Sequence, residues 1–195
     1  MQTLLIATRN AHKTREIGQV LGPGWRISDL LSLAHSPVVE ETGASFEENA
    51  MLKALTISRV FAGIVLADDS GLEVEELGGA PGVRSARFAG EGAEDSANRR
   101  ALIRLLRNLT GKSQLRARFR CAMVLASRGE LLGAFAGTVE GHVIAEERGS
   151  GGFGYDQMFI PDGYTETFAE LPPEIKNSLS HRGRALAKVL EFLRS

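Results

Sequence analysis

One cysteine in 195 residues is the sharpest deficit of this chain. Cys121 alone permits neither an intrachain disulfide nor a cysteine zinc site, and a reducing, cytoplasmic location is the simplest expectation. Long apolar runs are also lacking. The opening stretch, Met1 to Ala7, has no basic leader, and its apolar run is much shorter than a signal-peptide core or a membrane span, so a buried strand and no membrane partner are expected. Charge of one sign is not in excess either. The 23 Lys and Arg nearly balance the 24 Asp and Glu, for a formal net charge of −1. That balance argues against a nucleic-acid binder held by a general basic surface, and it leaves room for a local basic pocket and a small ligand. Low-complexity tracts and internal repeats are missing as well.

What remains is an ordinary globular composition, 43% hydrophobic and 24% charged. The chain is long enough for one domain that buries roughly 70% of its unfolded surface. Strand and helix signals alternate along it. Leu4 to Ala7 is a short apolar run. Lys13 to Leu21 then places Ile17, Val20 and Leu21 at helical spacing before Gly22-Pro23-Gly24 stops it. Ser45 with Glu48 three residues on fits a capping box, opening a helix through Ala50, Leu52, Leu55 and Val60 that Gly63 ends. Ile64 to Ala67 reads as a buried strand, and Gly78-Gly79-Ala80-Pro81-Gly82 as a sharp turn.

Ala93 to Asn108 predicts an amphipathic helix with Ala101, Leu102, Leu105 and Leu109 inward. Arg99, Arg100, Arg104 and Arg107 read as its solvated face. Arg116 to Ser127 alternates as a long strand, with Ala117, Phe119, Cys121 and Met123 on one face, so Cys121 reads as packing and not as a reactive thiol. Leu131 to Val139 completes a hairpin, and Ser180 to Leu193 closes the chain with a helix. The expectation is a mixed α/β domain.

The chemistry-bearing residues fall in separate blocks. A strand running into Thr8-Arg9-Asn10-Ala11-His12-Lys13 and then a helix offers backbone N–H groups, a dipole end and a lysine to phosphate. The glycines of a P-loop are not there, and taken alone the block also reads as an ordinary capped helix start, the commoner case. Gly149 to Gly154 matches G-x-G-x-x-G literally. Glu146-Glu147-Arg148 precede it and Tyr155 to Ile160 looks extended, so the strand-before, helix-after context of a dinucleotide fingerprint fails. Glu40-Glu41 and Asp68-Asp69 are compact acidic pairs, the second at the end of a predicted strand. Such pairs suit Mg²⁺, which takes a few carboxylate oxygens besides water and substrate phosphate, although acidic pairs in loops also occur as solvated groups or caps. Phe153, Asp156, Lys176 and the pair His181-Arg182 supply an aromatic face, a carboxylate and cations for an anionic, ring-bearing ligand.

Taken in order, Thr8-x-Asn10-x-x-Lys13, Glu40-Glu41-Thr42-Gly43, Phe46-x-Glu48-Asn49-Ala50-x-x-Lys53-Ala54, Asp68-Asp69-Ser70-Gly71-Leu72, Leu77 to Gly82, Gly151 to Asp156 and Ser180-His181-Arg182-Gly183 form a recognisable series. Across essentially its whole length the chain resembles the non-canonical purine nucleoside triphosphate pyrophosphatase family. The resemblance implies a mixed, elongated sheet flanked by helices, a single domain over residues 1–195 with two lobes. It also implies a Mg²⁺-dependent homodimer that cleanses the nucleotide pool by converting ITP, dITP or XTP to the monophosphate and pyrophosphate.

By the same resemblance Thr8, Arg9, Asn10, Ala11, His12, Lys13 and Lys53 hold the triphosphate. Glu40 and Asp69 serve the metal and Asp69 is the general base; the mechanism leaves open the alternative that Asp68 or Glu41 shares that work. Ser70, Phe153, Gly154, Tyr155, Asp156, Lys176, His181 and Arg182 line the nucleotide pocket. On donor–acceptor chemistry, the pair His181-Arg182 is the candidate reader of the 6-oxo group of the purine. Two positions depart from the family's pattern: Arg9 stands where a small residue is common, and Gln157 where proline is usual. A Mg²⁺ phosphohydrolase of another nucleotide, such as a Maf-like enzyme, and a non-catalytic nucleotide-binding module are the competing classes. For the dimer, the surface around Phe119 to Phe135 is the expected interface.

Overall fold

The computed structural model describes residues 2–109 and 114–194. Six strands form one mixed sheet in the order β2-β1-β3-β4-β5-β6. They are β1 Gln2–Ile6, β2 Trp25–Asp29, β3 Ile64–Val74, β4 Gln114–Ser127, β5 Glu130–Ile144 and β6 Phe159–Pro161. Five α-helices accompany them: α1 Ala11–Leu21, α2 Phe46–Ser58, α3 Asp95–Asn108, α4 Pro173–Leu179 and α5 His181–Arg194. β1 pairs in parallel with β2 and with β3, while β5 and β6 are antiparallel. This is the mixed, helix-flanked sheet that the sequence predicts.

The chain divides into two compact units. The first comprises Met1–Asp69, Cys121–Gly137 and His181–Ser195, and the second Ser70–Arg120 and Thr138–Ser180. In the first, Leu4, Ile6 and Leu66 of the sheet join Ile17 of α1, Cys121, Met123 and Leu125 of β4, and Ala185, Leu186 and Val189 of α5 in one core. In the second, Leu102 and Leu106 of α3 pack with Leu115, Ala117 and Phe119 of β4 and with Phe159 and Phe168. Phe119 meets Phe159 edge-on at 4.8 Å between ring centroids, a favoured aromatic geometry.

Several elements form for the local reasons read from the sequence. Ser45 Oγ accepts the Glu48 N–H at 3.2 Å, capping α2, and Glu48 reaches back to the Ala44 N–H at 2.7 Å, one residue earlier than a standard capping box. Gly22 at φ +73° closes α1. Arg128 and Gly129, at φ 55° and 82°, make the turn that joins β4 to β5, both central residues left-handed as the twist of a two-residue hairpin requires.

Other expectations are corrected. α2 ends at Ser58, short of Val60. The buried stripe of α3 is Asn98, Leu102 and Leu106, with Leu109 partly buried against the same core as expected, while Leu105 is 41% exposed because it lies off the i, i+4 line through Leu102. β3 does not stop at Ala67. Its pairing with β1 ends at Leu66, but the strand runs on to Val74, so Asp68 and Asp69 lie inside it. Residues 155–158, expected to be extended, are turns that precede the short β6. Phe119, offered above for a dimer surface, is a core residue at 6% exposure.

Candidate active site

In the first unit the site is built from the middle of β3 outward. Successive strand side chains leave on opposite faces, and the partners of Asp68 and Asp69 divide accordingly. Asp68 meets α1 and α5: Lys13 Nζ lies 3.1 Å from its Oδ2, and Arg182 Nε and Nη2 each lie 3.4 Å from the same oxygen. Arg182 Nη1 also donates to Glu16 Oε2 at 2.6 Å. Asp69 meets α2. Asn49 Nδ2 donates to its Oδ2 at 3.1 Å, and Lys53, one helical turn further, donates to its Oδ1 at 3.2 Å. Lys53 also bonds Glu41 Oε1 at 2.8 Å, so one ammonium bridges two carboxylates.

Asn49 in turn accepts the Gly43 N–H at 2.8 Å, tying the Glu41 loop to the same helix. A Cβ at Gly43 would fall 2.7 Å from Asn49 Oδ1, which is why glycine sits there.

The electrostatics follow from burial and neighbours. Burial alone would raise the Asp68 pKa, but Lys13, Arg182 and Lys53 hold it well below the ordinary carboxylate range. For Asp69 burial wins: its pKa is raised despite Lys53 and Lys13, with Glu41 adding to the rise. Lys53 moves up as well, since burial would lower it but Asp69, Glu41 and Asp68 outweigh that cost. Two adjacent aspartates thus differ in character, one locked as an anion and the other a better proton acceptor. Burial, with Asp68 next, pushes the Cys121 thiol up to about 12, in keeping with a packing role.

The loop before α1 is the ordinary capped helix start that its residues suggest when taken alone. Asn10 Oδ1 caps the helix by accepting the His12 and Lys13 N–H groups at 2.9 and 3.3 Å, and Thr8 Oγ1 accepts the Asn10 N–H at 3.1 Å. Those donors are used inside the protein, so a phosphate would meet the Lys13 side chain and not an open nest of backbone N–H groups. Ala11 and His12 are exposed on the first turn. Arg9 is turned to Ser36, donating to its Oγ at 2.8 Å, and it lines a cavity of about 710 Å³ with Leu30, Leu31, His35 and Val60. Glu40 is exposed, and Glu41 is the member of that pair that reaches Lys53.

The ion pairs gather four carboxylates (Glu16, Glu41, Asp68, Asp69) against three cations (Lys13, Lys53, Arg182), an excess of one negative charge. Among the described residues no group of three or more His, Cys, Asp or Glu forms a ready metal cage. Mg²⁺ does not need one, because it keeps waters and takes one or two carboxylates with substrate phosphate. Glu41 and Asp69, already sharing a cation, fit that donor set.

In the second unit Ser70 lies half-buried on β3, and a tight loop builds the aromatic face. Asp156 Oδ2 accepts from the Phe153 N–H at 2.8 Å and from Lys176 Nζ at 2.6 Å, and Lys176 sits 5.2 Å from the centroid of the Phe153 ring. Gly152, at φ +67°, allows the backbone to wrap the carboxylate, since a Cβ there would collide with Asp156. Of the glycines that mimic a dinucleotide fingerprint, Gly149 and Gly151 pass close to the Ala169 backbone, so the match reflects loop packing and not a phosphate turn. Tyr155 is pinned by its hydroxyl to Ser85 O at 2.9 Å, and burial, reinforced by Asp95, raises its pKa. Gln157, in place of proline, donates to Gly149 O at 2.8 Å and stitches the loop in another way.

Sequence reasoning missed Asn49, whose i, i+4 spacing to Lys53 was a usable signal, and Glu16, for which no signal existed. It also set Arg99 on the solvated face. Arg99 Nη1 instead donates to Gly154 O at 2.9 Å, and Asp95 Oδ2 accepts the Gly154 N–H at 2.7 Å.

A mixed α/β fold whose buried aspartate pair is flanked by lysines has the groups that acid–base chemistry on a polyanion requires. Comparison with known proteins agrees: the Ham1 family profile matches residues 4–192, and the chain belongs to the Ham1 family. It is 46% identical to the dITP/XTP pyrophosphatase of Bacillus licheniformis over 99% of this chain and 98% of that one. Identity to the dITP/XTP pyrophosphatase of Bacillus subtilis is 42%, covering 99% and 98%. Among solved structures it resembles a HAM1 protein from Coxiella burnetii, with a TM-score of 0.87 at 34% identity over 100% of this chain and 99% of that one.

Proposed function

We propose that this chain hydrolyses ITP, dITP and XTP to the nucleoside monophosphate and pyrophosphate, with Mg²⁺ as cofactor. It is a nucleoside triphosphate pyrophosphatase, a hydrolase in the company of the dITP/XTP pyrophosphatases it is similar to. The observation that carries the mechanism is Asp69, held by Asn49 and Lys53 and raised in pKa by burial.

In the proposed reaction a water attacks the α-phosphorus and gives its proton to Asp69, and the bond from that phosphorus to the bridging oxygen breaks. Pyrophosphate leaves with the electron pair. Lys13 and Lys53 offset the charge that builds on the phosphate oxygens. Glu41 and Asp69 are the carboxylates that would hold Mg²⁺, which when bound screens the phosphates and acidifies a water. Asp68, kept anionic by Lys13 and Arg182, fixes the lysine and takes no proton. Phe153 offers a ring face for a base, a contribution of about 1 to 3 kcal/mol where bases stack on aromatics. An N–H donor facing position six would favour a 6-oxo purine and oppose the amino group of adenine, and with Arg182 committed to Asp68 and Glu16 the reader in this proposal is His181.

The test is pyrophosphate release from ITP, XTP, dUTP, dTTP and ATP, with and without Mg²⁺. Turnover of ITP and XTP well above ATP, lost on chelation, is the expected result. Preference for dUTP or dTTP would mean a Maf-like specificity, and binding without turnover would mean a non-catalytic module; either overturns the proposal.

A further inference from the structure

The aromatic loop of the second unit is gripped at one residue from both sides of its peptide. Gly154 gives its N–H to Asp95 Oδ2 at 2.7 Å and receives Arg99 Nη1 on its carbonyl at 2.9 Å. Asp95 and Arg99 stand one turn apart on α3, so a single rigid helix face supplies an acceptor and a donor at the correct spacing for one residue. Arg99 is itself held, with Nε 3.2 Å from Glu147 Oε1. Gly154 has φ +61°, one of several conformations open to a glycine at little cost, so it is the two outside bonds that select this one. On its two flanks stand Phe153, whose ring lies near Lys176 Nζ, and Tyr155, whose hydroxyl is fixed to Ser85 O.

We infer that Asp95 and Arg99 are positioning residues for nucleobase binding, acting through Gly154 to set the Phe153 ring and the Asp156–Lys176 pair. This rests on the reading of Phe153 as a platform for the base of the substrate. Both bonds to Gly154 involve charged partners, and charge-assisted bonds hold geometry more firmly than neutral ones. Losing either one frees the loop to leave the left-handed turn, so the platform is sampled for only part of the time. A fraction of competent states below one raises the apparent dissociation constant in proportion. The acid–base group of the first unit contains neither residue, so the chemical step keeps its machinery.

The experiment measures kcat and KM for ITP with Mg²⁺, together with inhibition by tripolyphosphate, which has no base, in Arg99→Ala, Asp95→Ala and Asp95→Asn. In both alanine variants KM should rise about tenfold with kcat within about twofold, while the tripolyphosphate inhibition constant stays put. Asp95→Asn keeps an acceptor oxygen and should recover most of the lost affinity, which a purely structural role for the charge would not produce. Asp95 is exposed at the helix start, so its two variants decide the matter even where Arg99→Ala does not fold. Unchanged KM in the alanine variants, an equal rise for tripolyphosphate, or a fall confined to kcat would each overturn the inference. Wild-type protein that releases no pyrophosphate from any nucleoside triphosphate would instead overturn the proposed function, and the positioning role with it.

Discussion

Asp68 and Asp69 are neighbours in sequence with opposite pKa directions, and the difference lies in which helices each faces. Asp69 is reached by the neutral amide of Asn49 and by a lysine shared with Glu41, and burial leaves it a better base than a solvated aspartate. Asp69→Asn keeps the shape and the Asn49 contact while removing the basic oxygen. Turnover of ITP should fall at least about a hundredfold, roughly 2.7 kcal/mol of barrier, with substrate binding largely retained. Steady-state kinetics retaining more than about a tenth of wild-type turnover would remove Asp69 from the role.

Asp68 belongs to stability. Its folded pKa is depressed below the ordinary 3.8, so the stabilisation it gives is complete above that value and is lost as pH falls further toward the folded pKa. Asp68→Asn should cost roughly 3 kcal/mol at neutral pH, because Lys13 and Arg182 lose their shared anion in a buried place. Urea melts at pH 7 and below pH 4 should show the mutant deficit shrinking in acid; a constant deficit would contradict the assignment.

At the scale of elements, the local signals were strong where capping and periodicity set the structure and weak where long-range pairing did. Ser45 was legible as a cap, and Ser45→Ala should destabilise by about 1 kcal/mol in a thermal or urea melt. No change would mean that the Glu48 to Ala44 bond alone holds the start of α2. β2 gave no usable pattern, since Trp25–Asp29 is only partly buried and never alternates cleanly. The extent of β3 past Ala67 was hidden because acidic residues in a strand interior are disfavoured until lysines and an arginine from three helices cover them. The same blindness set Arg99 among solvated arginines: its partner is a backbone carbonyl of a loop 55 residues away. Lys13, Lys53, Asp69, Asp156 and Lys176 were legible because their spacing within motifs survives in sequence, whereas the choice of Glu41 over Glu40 depends on how one loop turns.

For the whole molecule, each of the two units has its own core, with Asp69 in the first and the Phe153 loop in the second. Among the described residues no helix is long and apolar enough to cross a membrane. Assembly as a homodimer is an expectation of the resemblance. With Phe119 in the core, the apolar residues left exposed near the hairpin are Leu131, Leu132 and Phe192, at 48, 41 and 41%. Light scattering at micromolar concentration should give twice the chain mass, and Leu131→Lys with Leu132→Lys should lower it; a wild-type monomer would contradict the dimer.

The central claim is that water attacks the α-phosphorus with Asp69 as base. Hydrolysis of ITP in water labelled with heavy oxygen, with the products resolved by phosphorus NMR, tests it most directly. The account predicts the label in inosine monophosphate and none in pyrophosphate. Label in pyrophosphate would place the attack on the β-phosphorus and contradict it.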